Sequence, residues 1–224
     1  MYRLTLKRSL AVALLFVMAA LPLDLYAQPQ RYRVAVCDWM MLKRANYRQL
    51  VAECLESMDV MGARVAYLPL GGSGQEWQQP GAEHREMVYR LHTLGEMALK
   101  GGKVIAIRTG LDAKASLALL KEVDSQGIKV YYNLQDDVDK GRCPAKELKR
   151  LGAANIAQIH CSLTDSVTLD KDPRVDLHKV RKALDAMKWS GWLVVERSRN
   201  AQDIRNVKGN FGTNVAYLKE IFQE

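Results

Sequence analysis

Six short apolar runs, each followed by a helical stretch, constrain the fold more than any other feature of this chain. The runs are Arg33–Cys37, Arg64–Leu70, Lys103–Ile107, Ile128–Tyr132, Ile156–Ile159 and Trp192–Val195. They are rich in β-branched and aromatic residues, and none alternates cleanly between apolar and polar. Strands buried on both faces of a parallel sheet have that composition. The intervening stretches repeat at helical spacing. Tyr47, Leu50, Val51, Cys54, Leu55 and Met58 recur at three- and four-residue steps, and Met87, Leu91, Leu94 and Met97 do so within Glu86–Lys100, which Gly101-Gly102 stops. Ala113–Val123, Ala145–Leu151, Val175–Met187 and Asn214–Phe222 complete the helices. Strand–helix alternation of this kind builds right-handed βαβ units. The expectation is an α/β fold, one domain over 28–224.

The first 27 residues stand outside that pattern. Arg3, Lys7 and Arg8 precede the apolar segment Leu10–Leu23, and Ala27 offers a small residue before Gln28. This is the order of a signal peptide over 1–27, and it predicts an exported, periplasmic or secreted protein with no stable membrane anchor. The segment is too short to span a bilayer comfortably. Export permits disulfides, yet Cys37, Cys54, Cys143 and Cys161 show no CxxC spacing, so each is read as a small buried apolar residue. The net charge is +8, but lysines and arginines are dispersed among acids with no dense basic run, so nucleic acid is not the expected partner.

Function is most visible at the strand ends. Asp38 follows the first run, Gly71-Gly72-Ser73-Gly74 the second, Arg108 and Thr109 the third and Asn133 the fourth. His160 ends the fifth and Glu196 the sixth. Active sites of parallel α/β folds are built at this edge, where loops bring side chains from several strands to one pocket. Trp77, in the loop after the second run, is placed to stack on a sugar ring or on the rim. Asp136, Asp137 and Asp139 lack calcium-loop spacing and are read as a solvated acidic turn. His84, His92 and His178 fall on helices without partners at ligand spacing and are read as surface histidines. Asp176 is read as a helix start.

These residues carry a resemblance. Gln158-Ile159-His160-Cys161, then Val175-Asp176-Leu177, then Gly191-Trp192-Leu193-Val194-Val195-Glu196, closed by Ala216-Tyr217-Leu218-Lys219, resemble the last quarter of xylose isomerase-like TIM barrels, the sugar phosphate isomerases/epimerases. Val36-Cys37-Asp38-Trp39 and Ala66–Gly71 are similar to an early and a middle strand. The resemblance implies a TIM-barrel-like fold and a sugar or sugar phosphate substrate. It also implies a divalent metal (Mn, Mg or Zn) on Glu, Asp, His and Glu ligands that assists proton transfer between neighbouring carbons. The matching positions are Arg108, Asn133, His160 and Glu196. His160 and Glu196 would be metal ligands, Glu196 the catalytic carboxylate, and Asp38, Arg108, Asn133 and Trp77 substrate-binding residues.

Two of the four expected ligands have changed. Asn133 offers only a neutral carbonyl, and a guanidinium cannot ligate a cation. Three placements of Arg108 stay open: pairing with Glu196 in place of the metal, reaching an anionic ligand, or lying outside the pocket with Asp112 as substitute ligand. The alternative function is a non-catalytic or degenerate carbohydrate-binding member. Length also departs: 197 residues follow the leader, against about 250 for a (β/α)₈ barrel. About six units are therefore expected, with two missing near residues 44–47. Closing the exposed edges calls for a different closure, a homo-oligomer or an open sheet.

Overall fold

Among the described residues, each strand after the first pairs with the one before it in the chain. The computed structural model describes residues 45–70, 79–163 and 165–223, all within the unit Val34–Glu224. Five parallel strands run in the order β1 (Val65–Pro69), β2 (Val104–Arg108), β3 (Ile128–Asn133), β4 (Ile156–His160) and β5 (Trp192–Val194). They form a half-barrel of the expected α/β class. The leader, the run Arg33–Cys37, Asp38, the Gly71–Gly74 loop and Trp77 lie outside the described residues. Among the described residues, β1 and β5 each have one strand neighbour.

The described residues hold seven α-helices: α1 (Tyr47–Val60), α2 (Ala82–Lys100), α3 (Ala113–Val123), α4 (Leu134–Val138), α5 (Pro144–Leu151), α6 (Leu177–Ala186) and α7 (Val207–Gln223). Their starts are chemically marked. Asp112 and Asp176 accept backbone N–H groups at the heads of α3 and α6, and Pro144 opens α5, where a missing N–H costs nothing. The expected helix Asn214–Phe222 is longer, beginning at Val207, because the Asn206 side chain accepts the Gly209 N–H at 2.9 Å and outweighs two glycines.

Alternation along the strands separates two faces. Ala66, Leu68, Ile105, Ile107 and Ile128 point outward and pack on Val51, Leu55 and Met58 of α1, on Leu91, Leu94 and Ala98 of α2, and on Leu119 and Val123 of α3. Tyr132, Ile156 and Ile159 pack on Leu148 and Leu151 of α5, Leu177, Val180 and Leu184 of α6, and Leu218 and Ile221 of α7. Helix and sheet approach closely at one point, where a β-carbon on Gly127 would run into the Gly95 carbonyl of α2.

The inner face carries Tyr67, Ala106, Arg108, Tyr131, Asn133 and His160, by the registers Tyr67–Ala106, Pro69–Arg108 and Asn133–His160. Here the expectation of burial on both faces is corrected. In β1 the outward residues are buried and Val65, Tyr67 and Pro69 only half-buried. The outward side has a helix layer, while among the described residues the inner side of β1 has no equivalent cover. A shift between Val130 and Tyr131 sets Tyr131 opposite Gln158, so that Asn133 and His160 end level.

Candidate functional site

The inner face is organised around a contact of three rings. Tyr67 of β1 and Tyr131 of β3 approach to 4.1 Å between centroids, and Tyr131 lies 3.9 Å from the His160 ring of β4. The residue of the intervening strand level with Tyr67 is Ala106, whose small, fully buried side chain leaves room for the tyrosines to meet. Tyr67 also touches Arg108, so the rings link the ends of β2 and β4.

Two charged pairs stand at those ends. Arg108 donates through Nε to Asp136 Oδ2 at 2.8 Å and through Nη2 to Asp136 Oδ1 at 2.6 Å, a bidentate fork that holds the guanidinium firmly charged. His160 Nδ1 lies 3.1 Å from Glu196 Oε2. Burial of His160 pushes its pKa down to about 4; the Glu196 carboxylate opposes that shift and the Arg108 charge adds to it. The ring is therefore neutral at pH 7. A carboxylate only accepts, so Nδ1 carries the proton that Glu196 receives. The Glu196 side chain is 50% exposed and faces solvent beyond that contact.

Buried networks support both pairs. Asp136 sits on the one-turn helix α4, whose cap is Asn133: its Oδ1 accepts the Gln135 N–H at 2.9 Å. The next residue, Asp137, is buried and accepts from the Tyr132 hydroxyl and from Arg142 Nε at 2.5 Å. Burial raises the pKa of both Asp137 and Tyr132. After β5 the chain passes through Ser198, a fully buried non-glycine residue at φ 71°. That left-handed conformation costs about 1–2 kcal/mol for an L-residue. Ser198 Oγ accepts the Leu163 N–H at 3.0 Å. Asn214 of α7 donates from Nδ2 to the Ser198 carbonyl at 2.8 Å and the Arg197 carbonyl at 3.2 Å, and its Oδ1 accepts the Leu169 N–H at 2.8 Å.

Of the expected site residues, His160 and Glu196 come together, although 36 residues separate them. Arg108 does not pair with Glu196. It pairs with Asp136, because α4 folds the acidic turn back over the end of β2. The solvated reading of that turn is thus corrected for Asp136 and Asp137. Asp112 is no substitute ligand, since it caps α3 by accepting the Ala115 N–H at 2.8 Å. His84 and His92 reach across to α3 and its end, His84 to Glu122 at 2.7 Å and His92 to the Val123 carbonyl at 2.9 Å. Of the cysteines, Cys161 is buried, with its thiol pushed up to about 12, whereas Cys143 is exposed just before Pro144, against expectation. Tyr67, Tyr131, Asp136, Ser198 and Asn214 are new here. Tyr131 could have been found from its two-residue parity with Asn133, whereas Tyr67 needs the register of β1 on β2. The others emerge only from tertiary structure.

The side chains present do not fit a divalent metal. Around His160 they offer one imidazole and one carboxylate beside a guanidinium, whose positive charge repels a dication. The Asn133 carbonyl is committed to a backbone N–H. Among the described residues no group of three or more His, Cys, Asp or Glu side chains could hold an ion.

Comparison with known proteins gives a consistent lineage. The xylose isomerase-like TIM barrel family profile matches residues 34–221. Among solved structures, an L-ribulose 3-epimerase superposes with a TM-score of 0.61 at 14% identity, over 78% of this chain and 66% of that one. A D-psicose 3-epimerase determined in the presence of D-fructose gives 0.62 at 14% identity, over 81% and 74%. A 3-keto-D-glucoside 4-epimerase from E. coli gives 0.63 at 15% identity, over 79% and 72%. The chain thus spans just under two thirds of the ribulose epimerase. At these identities the likeness establishes the fold. No curated protein sequence matches the chain.

Proposed function

This chain belongs to the xylose isomerase-like TIM barrel family, and from that premise we propose that it is a sugar isomerase/epimerase-like protein with Glu196 as its proton-transferring carboxylate. The contact between His160 and Glu196, 3.1 Å across two strand ends, carries the reading. The names of the structural neighbours, which act on ribulose, psicose and a keto-glucoside, support the substrate class.

In this reading a ketose or ketose phosphate lies over the strand ends with the C–H beside its carbonyl facing Glu196. His160 holds one carboxylate oxygen through Nδ1–H and leaves the other to take the proton from one carbon and deliver it to the former carbonyl carbon, while the neighbouring hydroxyl proton passes to the former carbonyl oxygen. A neutral imidazole orients the carboxylate without placing a full positive charge beside it. Arg108 faces the same cluster as a fixed cation for an oxygen that gains negative charge. Asp38, Asn133 and Trp77 complete the sugar contacts in this proposal. No step is routed through a metal. Residues 1–27 are proposed to direct the protein out of the cytoplasm; among the described residues no helix is long and apolar enough to cross a membrane.

The test is proton exchange. A panel of ketoses and ketose phosphates is incubated with the protein in D₂O, and deuterium uptake beside the carbonyl is followed by NMR. Glu196→Gln should lower exchange by about 10²–10⁴-fold, as loss of a general base does. A wild type that exchanges none of the panel would refute catalysis. A second reading then applies, that of a non-catalytic sugar-binding member. The locking of Arg108 by Asp136 and of Asn133 by the α4 cap favours it, and it predicts sugar binding by calorimetry with no exchange.

A further inference from the structure

Glu196 lies two residues beyond the end of β5, so the sheet ladder does not hold it. The last bond between these two strands is that of Cys161 N–H to the Val194 carbonyl at 2.9 Å. Past that bond the chain is irregular, yet Ser198 is fully buried in a backbone conformation that L-residues rarely adopt. Such an outlier persists only where its surroundings dictate it, and it points to function where the dictating contacts surround a site. Here they do. The Ser198 hydroxyl ties this segment to the loop after β4 through Leu163, and the Asn214 amide ties it to α7 and, through Leu169, to that same loop. Asn214 is itself completely buried, with its oxygen and its nitrogen both engaged.

We infer that Asn214 and Ser198 are positioning residues that hold the Glu196 carboxylate against His160. The inference rests on the proposed role of Glu196, but its geometric part can be tested without turnover. Helix α7 is thereby part of the site, although none of its side chains touches the reacting groups. The brace works by fixing the two carbonyls that come after Glu196, so the Nδ2 donor of Asn214 matters more than its volume.

The readout is the protonation pattern of the His160 ring, followed in ¹⁵N-labelled protein at pH 7 by long-range ¹H–¹⁵N spectra. Four histidines are present, and the His160 signal is identified by its loss in His160→Gln. The wild type should show the Nδ1–H form alone, since Glu196 accepts that proton. Asn214→Asp keeps the size and the acceptor but loses the donor, and should give a mixture with the Nε2–H form while the fold persists. Ser198→Thr, which keeps the hydroxyl, should retain the wild-type pattern. Ser198→Gly, which suits the positive φ but loses the hydroxyl, should give the mixture. It carries the test should Asn214→Asp not fold. A pure Nδ1–H pattern in the folded Asn214→Asp protein, or in Ser198→Gly if that alone folds, overturns the brace. A tautomer shift alongside a wild type that exchanges no sugar proton leaves the brace intact and refutes only the catalytic role of Glu196.

Discussion

The ends of β2 and β4 solve the same electrostatic problem in opposite ways. At β2, Arg108 and Asp136 exchange two short hydrogen bonds and cancel each other's charge. At β4, His160 and Glu196 share one contact, with a neutral ring and a carboxylate half open to solvent. A pair satisfied on both sides holds its cation in place, so it can offer a ligand a fixed charge but no acceptor. A pair satisfied on one side keeps a lone pair available. The difference separates structure from chemistry on one sheet edge, where family resemblance alone would give both ends to a metal.

Acidity should weaken the fold through the second pair and leave the first untouched. The unfolded imidazole titrates near 6.5 and the buried His160 at about 4. Between those values the unfolded chain binds a proton that the native protein does not. The stability contribution is therefore complete above pH 6.5 and is lost as pH falls toward 4. At about 1.4 kcal/mol per pH unit the loss is roughly 3 kcal/mol. Urea unfolding at about pH 7.5, above that window, and at about pH 4.5, most of the way through it, measures the greater part of the loss. His160→Gln should remove that share of the difference, and an unchanged pH dependence in the variant would show the ring to be unimportant. Arg108 stays charged throughout the window and contributes nothing to it.

The first pair is better probed by deletion. Arg108→Met leaves Asp136, which is mostly buried, without its partner, and should cost about 1–3 kcal/mol in urea unfolding. The further change Asp136→Leu should recover most of that. Two independent losses instead of recovery would mean that the pair is not the unit described. A smaller effect would convert one arrangement into the other. Arg108→Glu with Asn133→Asp replaces the guanidinium by a ligand and should raise Mn²⁺ affinity at least tenfold, about 1.4 kcal/mol, by calorimetry. No gain would mean that these positions do not face a common point with His160.

Much of the scaffold was legible from composition along the chain. Five of the six apolar runs are strands at nearly the expected bounds, because a buried parallel strand leaves a dense local signal. His160 and Glu196 were also legible, since both mark a strand end and parallel topology brings such ends together. The partner of Arg108 was not. Asp136 is one of three acids in a short stretch, and only the turn of α4 selects it. Asn133 was legible as a strand-end residue but not as a helix cap, because one amide oxygen can serve either role. Ser198 and Asn214 left no trace, for a positive φ and a buried amide are properties of the folded neighbourhood.

Because each of the five described strands after the first lies beside its predecessor, this part of the sheet can lengthen in the order in which the ribosome releases it, each new unit docking on a finished edge. The reactive corner does not share that schedule. Its carboxylate segment is tied to α7, so an emerging chain would hold all five described strands before that tie could form. The pairing of that carboxylate with its histidine would then wait on seventeen residues that lie far along the chain from the ring they serve.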